Sequence, residues 1–138
     1  MSALPEQILV LEDDPKFQKV MQFWLSKEGF HVTIAENSID ALCYARNQQF
    51  DLVISDYHLP DYLGTDFVQL LRRIPSYDRI PVIFVTARAV ELDAEWLRHE
   101  LKALVLPKPC NMALLCETVC KCLSIAHVAD ASERSQLV

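Results

Sequence analysis

The sequence predicts a three-layer α/β fold, with one parallel five-stranded sheet covered by helices on both faces. Three observations lead there. Five short apolar runs, rich in β-branched residues and too brief for helices, recur along the chain. Segments with apolar residues at helical spacing alternate with them, the pattern of a parallel sheet with crossover helices. Four of the runs also end in polar groups, Glu12-Asp13, Asp56, Thr86 and Lys108, where a buried strand would otherwise stay apolar. Right-handed crossovers bring all those ends to one edge of the sheet, the edge at which such folds bind ligands.

The chain taken in order supports each element. Gln7-Ile-Leu-Val-Leu-Glu12 reads as the first strand, closed by acids. Asp14 and Pro15 open a helix carrying Phe17, Val20, Met21, Trp24 and Leu25, and Gly29 stops it. Phe30 to Ala35 is the second strand. Ser38 is expected to cap a second helix whose apolar positions are Ile39, Leu42 and Cys43. Asp51 to Ser55 forms the third strand, and the Pro60–Gly64 turn separates it from a helix over Thr65 to Arg73. Gly64 is expected at a positive φ. Ile80 to Thr86 is the fourth strand, Val90 to Glu100 the fourth helix, and Ala103 to Leu106 the fifth strand. Asn111 caps a last helix with Met112, Leu115, Val119 and Leu123 on one face. From Ile125 the residues turn small and polar, and a frayed tail is expected over 125–138.

Composition bounds the function. The 138 residues suit one domain, and 51% hydrophobic against 23% charged residues is a globular balance. A formal net charge of −6 argues against nucleic-acid binding by this chain's own electrostatics. No apolar stretch reaches the ~20 residues that span a bilayer, and Met1 to Gln7 lacks the basic and apolar regions of a signal peptide. The five cysteines (Cys43, Cys110, Cys116, Cys120, Cys122) follow no framework spacing. They read as free thiols in a reducing, cytoplasmic compartment, and a soft-metal site at Cys116, Cys120 and Cys122 is set aside because no fourth ligand accompanies them.

Taken singly, the polar strand ends have plain readings. An aspartate after a strand is usually a turn or cap residue, Thr86 could cap a helix, and Lys108 could be a solvated charge. Together they form a pattern. Ile8-Leu-Val-Leu-Glu-Asp13, Asp51-Leu-Val-Ile-Ser-Asp56 with Leu59-Pro-Asp61 and Gly64, Pro81-Val-Ile-Phe-Val-Thr-Ala-Arg88, and Lys108-Pro109 stand in order at βα spacing. In these segments the chain resembles the response regulator receiver domains of two-component signal transduction.

The resemblance implies a flavodoxin-like, doubly wound (βα)5 fold with strand order 2-1-3-4-5, a receiver domain over 7–124 and an N-terminal extension over 1–6. It implies Asp56 as phosphoacceptor, and Mg²⁺ (or Mn²⁺) held by Glu12, Asp13, Asp56 and the backbone carbonyl of His58. Thr86, the backbone of Ala87 and Lys108 would bind the phosphoryl group, with a cis peptide at Pro109. Asp61 is read as shaping the turn rather than binding metal. His58 and Arg88 flank the expected pocket, where a part in acyl-phosphate hydrolysis stands beside plain surface roles.

The implied partners are a sensor histidine kinase or phosphotransfer protein and a downstream protein or fused output domain, without nucleic acid or membrane. The implied activity is that of a signalling module rather than an enzyme, catalysing only its own phosphorylation and dephosphorylation. One departure bears on output: the aromatic residue that receiver domains carry three residues before the lysine is replaced by Val105, and Leu101-Lys102 replaces the common Gly-Ala. A degenerate receiver acting without phosphorylation therefore stands as the alternative. The apolar Leu104 to Leu106, with Trp96 nearby, also raises a homodimer through the face of helix four, strand five and helix five. A phosphohydrolase with an aspartyl nucleophile is disfavoured, because His58 stands where its acid/base aspartate would be.

Overall fold

A computed structural model describes residues 4–137, with side chains described through residue 126. Strands and helices alternate: β1 (Gln7–Leu11), α1 (Pro15–Lys27), β2 (His31–Ala35), α2 (Ser38–Asn47), β3 (Leu52–Ser55), α3 (Gly64–Arg72), β4 (Val82–Thr86), α4 (Ala94–Glu100), β5 (Ala103–Pro107) and α5 (Met112–Leu137). Every strand pair is parallel, and the order is β2-β1-β3-β4-β5.

Because side chains alternate across a strand, each central strand feeds two cores. Leu9 and Leu11 of β1, Val53 of β3, and Val82 and Phe84 of β4 pack with α2, α3 and α4. Ile8, Val10, Leu52, Ile54, Ile83 and Val85 pack on the other face with α1 and α5. This is why β1, β3 and β4 read as continuous apolar runs.

The connections at the edge opposite the site are pinned by two buried groups. The Tyr77 hydroxyl accepts from the Phe50 amide at 3.2 Å and lies 2.8 and 2.6 Å from the Ala45 and Gln48 carbonyl oxygens. Arg72 donates to the carbonyls of Tyr77, Ile80 and Leu101. Burial lowers the pKa of its guanidinium, which nonetheless keeps three oxygen partners.

Several elements differ in detail from the sequence reading. Asn37, not Ser38, caps α2: in extended conformation its Oδ1 accepts the Asp40 amide at 2.8 Å, which places Ser38 inside the first turn. The inward face of α2 is Ala41, Leu42 and Ala45, whereas Ile39 is 62% exposed and Cys43 is also exposed. The expected fourth helix begins later, at Ala94, because Asp93 caps it and Ala89–Glu91 form a separate 3₁₀ turn. The stretch expected as a frayed tail continues α5 as helix to Leu137. Alanines at 126, 129 and 131, with no glycine or proline, suit that continuation. The side chains beyond residue 126 lie outside those described.

Gly64 does not occupy a positive φ, which among the described glycines only Gly29 does. Its constraint is space. A Cβ there would meet Phe84 Cε1 at 2.5 Å, with Tyr57 Cα at 3.1 Å and the Asp56 carbonyl oxygen at 3.2 Å.

Candidate functional site: the acidic pocket at the carboxyl edge of the sheet

Strand register assembles the site. Leu11 lies opposite Ser55 in the β1–β3 pair, so the next residues, Glu12 and Asp56, leave the sheet side by side. The Asp56 amide donates to the Leu11 carbonyl at 2.9 Å and holds that spacing. On the other side Ser55 pairs with Phe84 and Thr86 with Pro107, which brings Thr86 and then Lys108 to the same edge. Glu12, Asp13 and Asp56 each offer an oxygen within 4.8 Å of the others. Among the described residues no other set of three histidines, cysteines or acids gathers this way, the cysteines of α5 included.

Lys108 is the cation of the pocket. Its Nζ lies 3.0 Å from Glu12 Oε2 and 3.1 Å from Asp56 Oδ2. It also sits over the ring of Phe17, 4.7 Å from the centroid. Burial works to lower its pKa, but the hydrogen bonds to Glu12 and Asp56 outweigh that and hold it above the usual lysine value. Glu12 is fully buried, and burial pushes its carboxyl above the ordinary glutamate value despite Lys108 and the Asp14 amide, with the Asp56 charge adding to the rise. A second positive charge would relieve that strain, and an all-oxygen donor set suits a hard divalent ion. The residues present therefore fit Mg²⁺.

The remaining predicted residues fall as follows. Thr86 is buried, with Oγ1 accepting the Arg88 amide at 3.2 Å and its carbonyl accepting the Lys108 amide at 2.9 Å. Ala87 and the Arg88 side chain are exposed beside it. The Lys108–Pro109 peptide is cis. The His58 amide approaches Asp56 Oδ1 at 3.3 Å, and its exposed ring stands edge-on to Tyr57. Val105, half-buried, lines an open cleft of about 270 Å³ formed by α4, β5 and Thr118 of α5.

Three contacts were not anticipated. Helical spacing groups Phe17 with the apolar residues of α1, and its place one turn inside a helix that starts at the acidic run puts it under the pocket. Gln18 donates to the Glu12 carbonyl at 2.6 Å. Asp61 reaches across to α2, where its two oxygens accept the amides of Ser38 and Ile39; no local spacing signals a contact over more than twenty residues.

The model of the response regulator receiver domain matches residues 8–120. This chain belongs to that family. Among curated relatives, the probable transcriptional regulator ycf29 of Porphyra purpurea is 37% identical over 86 residues, 62% of this chain but only 41% of that protein. The polar-differentiation response regulator DivK of Brucella anthropi is 28% identical over 116 residues, 84% of this chain and 94% of its own length. Among solved structures, the receiver domain of sensor histidine kinase PA1611 from Pseudomonas aeruginosa superposes with a TM-score of 0.78 at 29% identity, covering 87% of this chain and 98% of that one. That structure carries a magnesium ion coordinated in its active-site cleft. The receiver fold described above is thus the CheY-like, flavodoxin-like one, and the domain is a two-component signalling domain. Among the described residues no helix is long and apolar enough to cross a membrane.

Proposed function

We propose that this receiver domain accepts a phosphoryl group on Asp56 from a histidine kinase or phosphotransfer protein, in a Mg²⁺-dependent reaction, and thereby changes a partner-binding surface. The observation that carries the reading is the convergence of Asp56 with Glu12, Asp13 and Lys108 on one pocket.

Glu12, Asp13, Asp56 and the His58 carbonyl would hold the ion, which when bound neutralises phosphoryl oxygens and lines up donor and acceptor. An Asp56 carboxylate oxygen attacks phosphorus as the bond to the donor nitrogen breaks, and that electron pair stays with the donor imidazole. The product is a mixed anhydride at Asp56; water later cleaves it to carboxylate and inorganic phosphate. Lys108, already 3.1 Å from Asp56, transfers its hydrogen bond to a phosphoryl oxygen. The Thr86 hydroxyl and the Ala87 amide supply neutral donors on the β4 side.

Incubation with Mg²⁺ and a small acyl phosphate should add the mass of one phosphoryl group to the wild type and none to Asp56→Asn. An unchanged wild-type mass contradicts the reading.

Val105 favours a second reading, an interaction module indifferent to phosphorylation, since no ring at this position can report the state of the pocket. The α4–β5 cleft would serve as the contact face in either case, for a downstream partner or a second copy. Equal partner binding by wild type and Asp56→Asn would favour that second reading.

A further inference from the structure

Asp61 lies five residues beyond Asp56, in the loop that carries the His58 carbonyl. Its Oδ1 accepts the Ser38 amide at 3.0 Å and its Oδ2 accepts the Ile39 amide at 3.1 Å. A helix start leaves its first amides without intrahelical partners, and a carboxylate there is favoured by both hydrogen bonding and the helix dipole. In α2 the supply is divided: Asn37 takes the Asp40 amide, whereas Ser38 and Ile39 are served by a residue from another part of the chain. Burial acts to raise the Asp61 pKa, but the two amide bonds prevail and hold the carboxyl below the usual aspartate value.

The loop between is short and closed on itself. His58 bridges Leu63, the Leu59 amide donates to Tyr62, and the Gly64 amide donates to the Tyr57 carbonyl. A displacement of Asp61 therefore carries to His58 rather than being absorbed by slack chain.

We propose that Asp61 is a positioning residue for the ion site: by clamping the β3–α3 loop onto the N-terminus of α2, it holds the His58 carbonyl and Asp56 in the arrangement that binds Mg²⁺. This rests on the ion-binding reading above. Coupling between linked sites is reciprocal, so Mg²⁺ must in turn tighten the clamp at Ser38 and Ile39.

The control is Asn37→Ala, which weakens the same helix end without touching the loop. Two readouts are needed, Mg²⁺ affinity by calorimetry and hydrogen exchange of the Ser38 and Ile39 amides. In the wild type, Mg²⁺ binds and slows exchange at both amides. Asp61→Ala weakens Mg²⁺ at least about fivefold, the lower end of such couplings, and abolishes the slowing. Asp61→Asn, which keeps one acceptor oxygen, falls between the two and serves if the alanine variant does not fold. Asn37→Ala keeps the wild-type affinity within about twofold, below that coupling range. Wild-type affinity in both Asp61 variants overturns the proposal while leaving the ion site intact, as does an equal loss in Asn37→Ala. A wild type that binds no Mg²⁺ contradicts the ion-site reading, and the coupling with it.

Discussion

Asp13 is exposed, yet it brings one oxygen within 4.8 Å of oxygens on Glu12 and Asp56. Asp13→Asn therefore removes one charge from the acidic cluster without opening a cavity. It should weaken Mg²⁺ about tenfold or more, because carboxylate count sets affinity at such sites. The metal-free melting temperature should hold or rise, since like charges in the pocket are fewer. A Mg²⁺ titration followed by thermal melting reads both quantities. Tyr77 makes the opposite kind of case, a buried polar group with no part in the pocket. Tyr77→Phe keeps the ring but leaves the Phe50 amide without its acceptor, and should cost about 1–3 kcal/mol in chemical denaturation. Phosphorylation of Asp56 should proceed at the wild-type rate in that variant, because Tyr77 lies at the far edge of the sheet.

At the scale of elements, two backbone positions invite opposite substitutions. Lys102, just past the C-terminus of α4, has φ +54, a left-handed position usually given to glycine. Lys102→Gly should stabilise the domain by up to about 1 kcal/mol, the steric cost relieved less the entropy added to the unfolded chain. Gly64→Ala should destabilise it by about 1–3 kcal/mol, since its Cβ would press on the buried Phe84 ring and the Asp56–Tyr57 backbone. Urea midpoints decide both. The elements themselves were largely legible, because β1, β3 and β4 are buried on both faces and leave uninterrupted apolar runs. Boundaries were less so. The inward face of α2 is built from alanines, which carry little hydropathy signal, so Ile39 looked more like core than Ala41 or Ala45 does. The role of Gly64 differs from the expectation because a close approach by Phe84 is a tertiary fact, invisible in a turn signature that suits a positive φ equally well.

At the scale of the whole molecule, ionisation links several distant groups to stability. Burial pushes the thiols of Cys110, Cys116 and Cys122 above the ordinary 9.0, and the Tyr77 hydroxyl above 10.0. Lys108 is also raised, burial being outweighed by its acidic partners. A raised folded-state value contributes stability that is present below the unfolded value and lost as pH climbs through the folded one. All five groups thus act in the same direction, and the urea midpoint should fall as pH rises past about 9, where the unfolded thiols begin to ionise. A midpoint flat to about pH 10.5 would contradict those shifts.

The site was legible for a related reason of chain order. Parallel strands deliver their ends to one edge, so Glu12, Asp13, Asp56, Thr86 and Lys108 could be grouped from sequence alone. The Asp61 clamp and the Phe17 ring beneath Lys108 could not, because each depends on which face of a neighbouring helix meets the edge. The central claim remains the acyl phosphate on Asp56. After treatment with Mg²⁺ and a small acyl phosphate, borohydride reduction followed by peptide mapping should convert Asp56, and no other acid, to homoserine. Homoserine at Asp13 or elsewhere, or at no position, would contradict it.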